Sequence, residues 1–220
     1  MSFKLYVDSQ FISPYAISAF VALREKGLEF AIETVDLDAG QNKESSYTAK
    51  ALTGRVPCLV HDDFMLTESS AITEYLEEMY PAPRYPSLYP VQTEKRAIAR
   101  QIQAWIRSDL LALREDRSTY TVFYKRADQP EQPLSPAAQA AADKLLRLAD
   151  RVVNGDCLFG SWCIADTDLA IMLSRLVVNG DPVPQKLKDY VAFQSQRDSL
   201  QAWLKKINPV PLQHTKTLGT

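Results

Sequence analysis

Two stretches of the 220-residue chain set hydroxyl and carboxylate side chains where backbone N–H groups are left without helical partners. Ser13-Pro14 reads as the opening of a helix, with Ser as N-cap and Pro at the first helical position. Glu68-Ser69 reads as the opening of another. A helix N-terminus offers unpaired N–H donors and the positive end of the backbone dipole, so it suits an anion such as a carboxylate or a thiolate. A serine hydroxyl placed there can donate a hydrogen bond to that anion as well. The plainer alternative at both places is a cap with no ligand, and the two roles are compatible. Pro57, at the start of a strand signal, removes a ladder donor and is locally costly.

Other chemistry is poorly supplied. The three cysteines, Cys58, Cys157 and Cys163, form no CxxC pair, and an odd number without an export signal points to reduced thiols. His61 and His214 are the only histidines, too few and too far apart for a zinc site, and no metal is expected. A Ser-His-Asp hydrolase would need one of them. His61 lies in an expected hairpin turn and His214 in a Pro-interrupted tail, and both read as solvated. Lys and Arg number 25 against 27 Asp and Glu, without a dense basic block, which disfavours nucleic acid as a partner. No run approaches the ~20 apolar residues of a membrane span, and MSFKLYVDSQ lacks the features of a signal peptide. The expected location is the cytoplasm, with no membrane partner.

The elements that must position these residues fall into two halves. Phe3, Leu5 and Val7 alternate as a strand, and Ala16, Ala19, Phe20 and Leu23 stripe a helix stopped at Gly27. Glu29 to Val35 is a second strand, and Asp36 to Arg55 a loop with at most a short helix. Pro57 to Val60 and Phe64 to Leu66 form a hairpin around His61-Asp62-Asp63, followed by a helix with Ile72, Tyr75, Leu76 and Met79. The order is βαβ, then ββα, over residues 1–80. Four prolines within 81–90 form a linker, and beyond it the pattern is all-helical over 91–208, with a tail over 209–220. One long helix carries Ile98, Ile102, Trp105, Ile106, Leu110 and Leu113. Later helices start at Ser135-Pro136 and Ile164, and two shorter ones cover Gln185 to Gln196 and Ser199 to Lys206. Trp105 and Trp162 read as core, and Glu77-Glu78 and Lys205-Lys206 as solvated faces.

Four motifs in this order, Ser13-Pro14-Tyr15, Gly54-Arg55-Val56-Pro57, Glu68-Ser69-Ser70-Ala71-Ile72 and Ile164-Ala165-Asp166, carry a resemblance. Together they resemble the cytosolic glutathione S-transferases of the serine type, and the resemblance spans Leu5 to about Lys206. The runs SPYAISAFVALREKGLEF and WCIADTDLA look closest to an enterobacterial member of that family. The resemblance implies a thioredoxin-like N-terminal domain, an α/β unit, followed by an all-α helical-bundle C-terminal domain. It implies glutathione as cosubstrate, with Ser13 donating to its thiolate, which is otherwise mostly protonated at neutral pH. Tyr6, Ser9 and Tyr15 are the rival hydroxyls, Tyr6 first among them.

The resemblance further makes Pro57 a cis-proline that turns the Val56 backbone toward the cysteinyl unit. Glu68 would meet the γ-glutamyl ammonium and Ser69 its carboxylate. Lys43 is the choice for the glycyl carboxylate, with Gln41 and Arg55 close behind. Asp166 is read as structural, bonding back to the N–H of Cys163, which replaces the family's usual Ser or Thr cap. Ala51-Leu52 stands where the family often has Asn-Pro. The implied activity is conjugation of an electrophile, or reduction of a hydroperoxide, by a homodimer whose helix near Ser69 to Met79 faces the partner's helical domain. Alternatives on the same scaffold are a glutathione-dependent isomerase, lyase or dehalogenase, or a non-catalytic interaction module.

Overall fold

The computed structural model describes residues 2–124 and 132–207. The expected tail and His214 lie outside the described residues. Strand β1 (Phe3–Asp8) is central because its two faces are both apolar. Phe3, Leu5 and Val7 join the main core with α1 (Pro14–Glu25), while Tyr6 packs on the opposite face with Tyr47, Val35 and Cys58. Strand β2 (Phe30–Val35) runs parallel to β1, and β3 (Cys58–His61) and β4 (Phe64–Thr67) follow antiparallel, in the order β2-β1-β3-β4. The connection from β2 to β3 holds a 3-10 turn (Gln41–Lys43) and the short α2 (Ser45–Thr48). Helix α3 (Ser69–Met79) completes a thioredoxin-like unit.

Among the described residues seven helices follow: α4 (Thr93–Ser108), α5 (Leu111–Asp116), α6 (Thr119–Tyr124), α7 (Pro136–Val152), α8 (Ile164–Asn179), α9 (Gln185–Ser195) and α10 (Asp198–Leu204). Helix α8 is the axis of this half, with contacts to α1, α4, α6, α7 and α9. Its first turn is fixed by Asp166, fully buried, whose carboxylate accepts from the N–H of Cys163 (2.9 Å), the N–H of Leu158 (2.7 Å) and the hydroxyl of Tyr190 (3.0 Å). Three donors on one buried carboxylate meet the requirement that buried charge be paired. The backward bond from Asp166 to Cys163 is therefore present although Cys replaces the usual hydroxyl.

Three sequence expectations change. The long helix through Leu113 is broken: Leu110 takes a left-handed φ of 64°, and Asp109 accepts from the Leu110 N–H at 2.7 Å and from the Trp105 indole at 3.0 Å. The Asp side chain competes for backbone donors there, yet Leu110 and Leu113 stay buried, so apolar spacing runs on across the break. His61 is buried, not solvated: it ends β3, stacks on Phe3 at 4.1 Å and shares a 2.7 Å hydrogen bond with Tyr75. Glu77 is not a free surface charge either. It accepts from the fully buried Lys26 at 2.6 Å and from the Leu88 N–H at 2.9 Å.

The Pro-rich segment is packed. Leu88 and Tyr89 are buried, and the Leu88 carbonyl accepts from Ile164 N–H at 2.8 Å. One continuous apolar core consequently runs from β1 through α1 and α3 into α4, α7 and α8.

Candidate active site

The loop from β1 to α1 is held from three sides. Asp8, 4% exposed, turns its carboxylate back to accept from Ile12 N–H (2.7 Å) and Ser13 N–H (3.0 Å). Burial pushes the Asp8 pKa up, and the two backbone donors pull against that shift. Trp203 of α10 donates to the Phe11 carbonyl at 2.9 Å, and Tyr124 of α6 donates to the Gln10 carbonyl, also at 2.9 Å. Phe11 is thereby kept at a left-handed φ of 56°. Ser13 then emerges in extended conformation as N-cap of α1, half-buried, its Oγ accepting from Ala16 N–H at 3.3 Å. That bond uses a lone pair. The hydroxyl proton is left to donate to an anion at the helix N-terminus.

The second edge of the site is the loop before β3. The Val56–Pro57 peptide is cis, Val56 is half-buried, and β3 begins one residue after Pro57. Asn42 donates to the Gly54 carbonyl at 2.9 Å and the Tyr47 hydroxyl to the Arg55 carbonyl at 2.8 Å, which pins the loop against Val56. Gln41 is used within its own turn, accepting from Asp36 N–H at 2.8 Å. Lys43 and Arg55 are exposed. Among the described residues, neither has a side-chain contact that would single it out over the other.

At the third edge, Glu68 sits before α3 with φ 71° and ψ 116°, a region costly for a residue with a Cβ, and its exposed side chain makes no capping bond. Ser69 is 3% exposed. Its Oγ accepts twice from Arg107, from Nε at 3.2 Å and from Nη2 at 2.9 Å. Sequence reading missed this arginine. It also donates to Asp168 at 3.1 Å and to the Gln103 carbonyl at 3.0 Å, and its guanidinium lies 5.7 Å from the Tyr15 ring centre. Gln103 donates to Asp168 at 2.6 Å and accepts from Tyr89 at 2.9 Å, and Tyr89 meets Thr73 at 2.8 Å. The network ties both ends of the α3 first turn to α4 and α8. Its only signal in the sequence was polar Gln103 and Asp168 interrupting apolar helix faces.

The rival hydroxyls are placed differently. Tyr6 packs under α2, edge-on to Tyr47, with Lys50 donating to its hydroxyl at 3.4 Å. Tyr15 accepts from Arg114 at 3.3 Å, and Ser9 is exposed. Burial raises all three thiols, Cys58 to about 11, so none offers a thiolate at neutral pH. Trp105 and Trp162 are partly buried against the core, Trp162 beneath Arg197 at 4.0 Å. Among the described residues no cluster of His, Cys, Asp and Glu would hold a metal, and no helix is long and apolar enough to cross a membrane.

Comparison with known proteins agrees with this geometry. The family model described as glutathione S-transferase, N-terminal domain, matches residues 12–79, and that described as glutathione S-transferase, C-terminal domain, matches residues 92–207. A solved glutathione transferase homologue from Burkholderia, with bound glutathione, is 47% identical, with a TM-score of 0.77 over 94% of this chain and 98% of that one. Glutathione S-transferase theta-3 of Mus musculus is 29% identical over 94% of this chain and 82% of its own length. The maleylacetoacetate isomerase of Rattus norvegicus is 30% identical over 90% of this chain and 88% of its own. The chain belongs to the glutathione S-transferase family.

Proposed function

We propose that this protein is a serine-type glutathione transferase. The observation that carries the reading is the Ser13 hydroxyl, fixed at the N-terminus of α1 with its acceptor side occupied by Ala16 N–H. A glutathione sulfur placed there receives the hydroxyl proton as a hydrogen bond and the field of the helix terminus, and both favour the thiolate. The Val56 backbone would hold the cysteinyl unit beside cis Pro57, and Lys43 would reach the glycyl carboxylate. Glu68 would pair with the γ-glutamyl ammonium. Ser69 still has a proton to give the γ-glutamyl carboxylate, and Arg107 behind it adds positive charge. The thiolate then attacks an electrophilic carbon and expels its leaving group. With a hydroperoxide, it attacks the distal oxygen and releases the alcohol, and a second glutathione closes the disulfide with loss of water.

The reading assigns residues 1–80 to glutathione and 91–208 to the wall of the second-substrate site. It places the protein in the cytoplasm as a homodimer. Supporting the dimer, Phe64, Met65 and Met79 are exposed on β4 and α3, and Ile98 on α4. The test is a glutathione titration followed by ultraviolet thiolate absorbance, with conjugation of a generic electrophile and sedimentation of the protein alongside. Absence of glutathione binding would overturn the reading in favour of an interaction module. A glutathione-dependent isomerase is the second reading, favoured by the similarity to the rat isomerase. Product analysis separates the two, because an isomerase returns glutathione unconjugated.

A further inference from the structure

The loop between β1 and α1 divides its backbone groups between the two halves of the molecule. Its N–H groups are met from within the N-terminal half. Ser9 donates to the Val35 carbonyl at 3.0 Å, Phe11 to the Asp8 carbonyl at 3.1 Å, and Ile12 and Ser13 to the Asp8 carboxylate. The carbonyls of Gln10 and Phe11 are met from the helical half, by the Tyr124 hydroxyl and the Trp203 indole N–H, 114 and 192 residues away in the chain. Trp203 is fully buried, its ring edge-on to Phe11 and Phe20 with centres 5.3 and 5.1 Å apart, so its single donor is held in one direction. Burial and the charge of Asp8 push the Tyr124 phenol above its ordinary range, so it stays a donor through neutral pH.

Phe11 holds a left-handed φ of 56°, which is disfavoured for a bulky residue and persists only where its surroundings fix it. Ser13 stands two residues further on. Freed of the indole, the Phe11 peptide can relax toward negative φ, and Ile12 passes that rotation to the Ser13 hydroxyl. A displacement of about 1 Å at a reacting group is enough to cost about a hundredfold in rate. Core packing alone does not account for the pair. No residue of α6 is fully buried and Tyr124 is only half-buried, yet its hydroxyl reaches the same loop as the Trp203 indole. We propose that Trp203 and Tyr124 are positioning residues for the Ser13 hydroxyl, through which the helical half sets the ionisation of the bound thiol. This inference rests on the transferase reading and adds to it the groups that aim its hydroxyl.

The test is thiolate absorbance of bound glutathione against pH, on the full chain. It compares wild type, Trp203→Phe and Tyr124→Phe, and then repeats both substitutions in a Ser13→Ala background. Trp203→Phe keeps a buried ring and removes the donor, and Tyr124→Phe removes one hydroxyl. Both are expected to raise the bound thiol pKa, by about one unit for Trp203→Phe and by less for Tyr124→Phe. The rate is read with 1-chloro-2,4-dinitrobenzene. There the glutathione sulfur bonds to the ring carbon, chloride leaves with the electron pair, and the thiol proton passes to solvent. At pH ~7 kcat is expected to fall by up to about tenfold in Trp203→Phe, with KM for glutathione within about twofold of wild type. In the Ser13→Ala background neither substitution is expected to move the thiol pKa further, because each acts through that hydroxyl. A shift of equal size with and without Ser13 overturns the proposal. So does a thiol pKa that both substitutions leave unchanged, a result that keeps the transferase reading intact. Should Trp203→Phe fail to fold, the Tyr124→Phe cycle decides alone. No thiolate signal when glutathione is added to the wild type defeats the transferase reading and this inference together.

Discussion

Removing the Ser13 hydroxyl separates its two roles, because their energies differ. As a cap, it accepts one backbone N–H at 3.3 Å, longer than the usual range, so Ser13→Ala should cost about 0.5–1 kcal/mol of stability. For a chain of this size that lowers the unfolding midpoint by only about 2–4 °C. As donor to a thiolate, it makes a charge-assisted hydrogen bond of about 1.5–3 kcal/mol, equivalent to about 1–2 pKa units on the sulfur. A free thiol near ~8.5 would then titrate near neutrality when bound to the wild type and return toward ~8.5 in Ser13→Ala. The assay is thiolate absorbance of bound glutathione against pH, with the conjugation rate over the same range. The rate of Ser13→Ala at pH ~7 should fall roughly tenfold or more, and the deficit should shrink above the raised thiol pKa. Tyr6→Phe, altering a hydroxyl packed under α2, should leave the thiol pKa where it was. An unchanged thiol pKa in Ser13→Ala would refute the assignment, and a shift in Tyr6→Phe would transfer it. A rate deficit that persists undiminished at high pH would show that Ser13 positions glutathione without ionising it.

Glu68→Gly should hold or raise thermal stability, by up to about 1–3 kcal/mol of released backbone strain, while glutathione affinity measured by calorimetry falls. A loss of both would mean that the strained backbone serves the fold alone. Among the described residues, Glu77→Ala leaves the buried Lys26 with only the Tyr80 carbonyl at 2.7 Å, so chemical denaturation should show a loss of about 3–5 kcal/mol, and Lys26→Met/Glu77→Leu should recover much of it. Asp8 has a folded-state pKa above its unfolded value, so its protonated form is the one the fold favours. Stability should therefore be lost as pH rises from the ordinary carboxylate range through the raised Asp8 value, and Asp8→Asn should remove that part of the slope. Carboxyl NMR titration of Asp8 should give a midpoint above the ordinary range, and a midpoint below it would reverse the sign.

The alternation of Phe3, Leu5 and Val7, the Ser-Pro helix start and the switch from period two to helical spacing after the prolines are local patterns. They determined the element order and both helix N-termini, because each depends on side chains a few residues apart. The places of Ser13 and Glu68-Ser69 at helix starts were legible for the same reason, whereas the cis Val56-Pro57 bond was an expectation of the family resemblance alone. The break at Asp109-Leu110 was not, since a left-handed residue there leaves the apolar spacing intact. His61 and Glu77 were misread because a polar side chain in a turn or beside another charge looks solvated until Phe3 or Lys26 arrives from elsewhere in the chain. Arg107 stands 38 residues beyond Ser69, and Trp203 stands 192 beyond Phe11. Neither position carries a mark of its own. Only the packing of α4 and α10 on the N-terminal half brings them to the edge of the site, where distance in space, and no spacing in sequence, sets which groups meet.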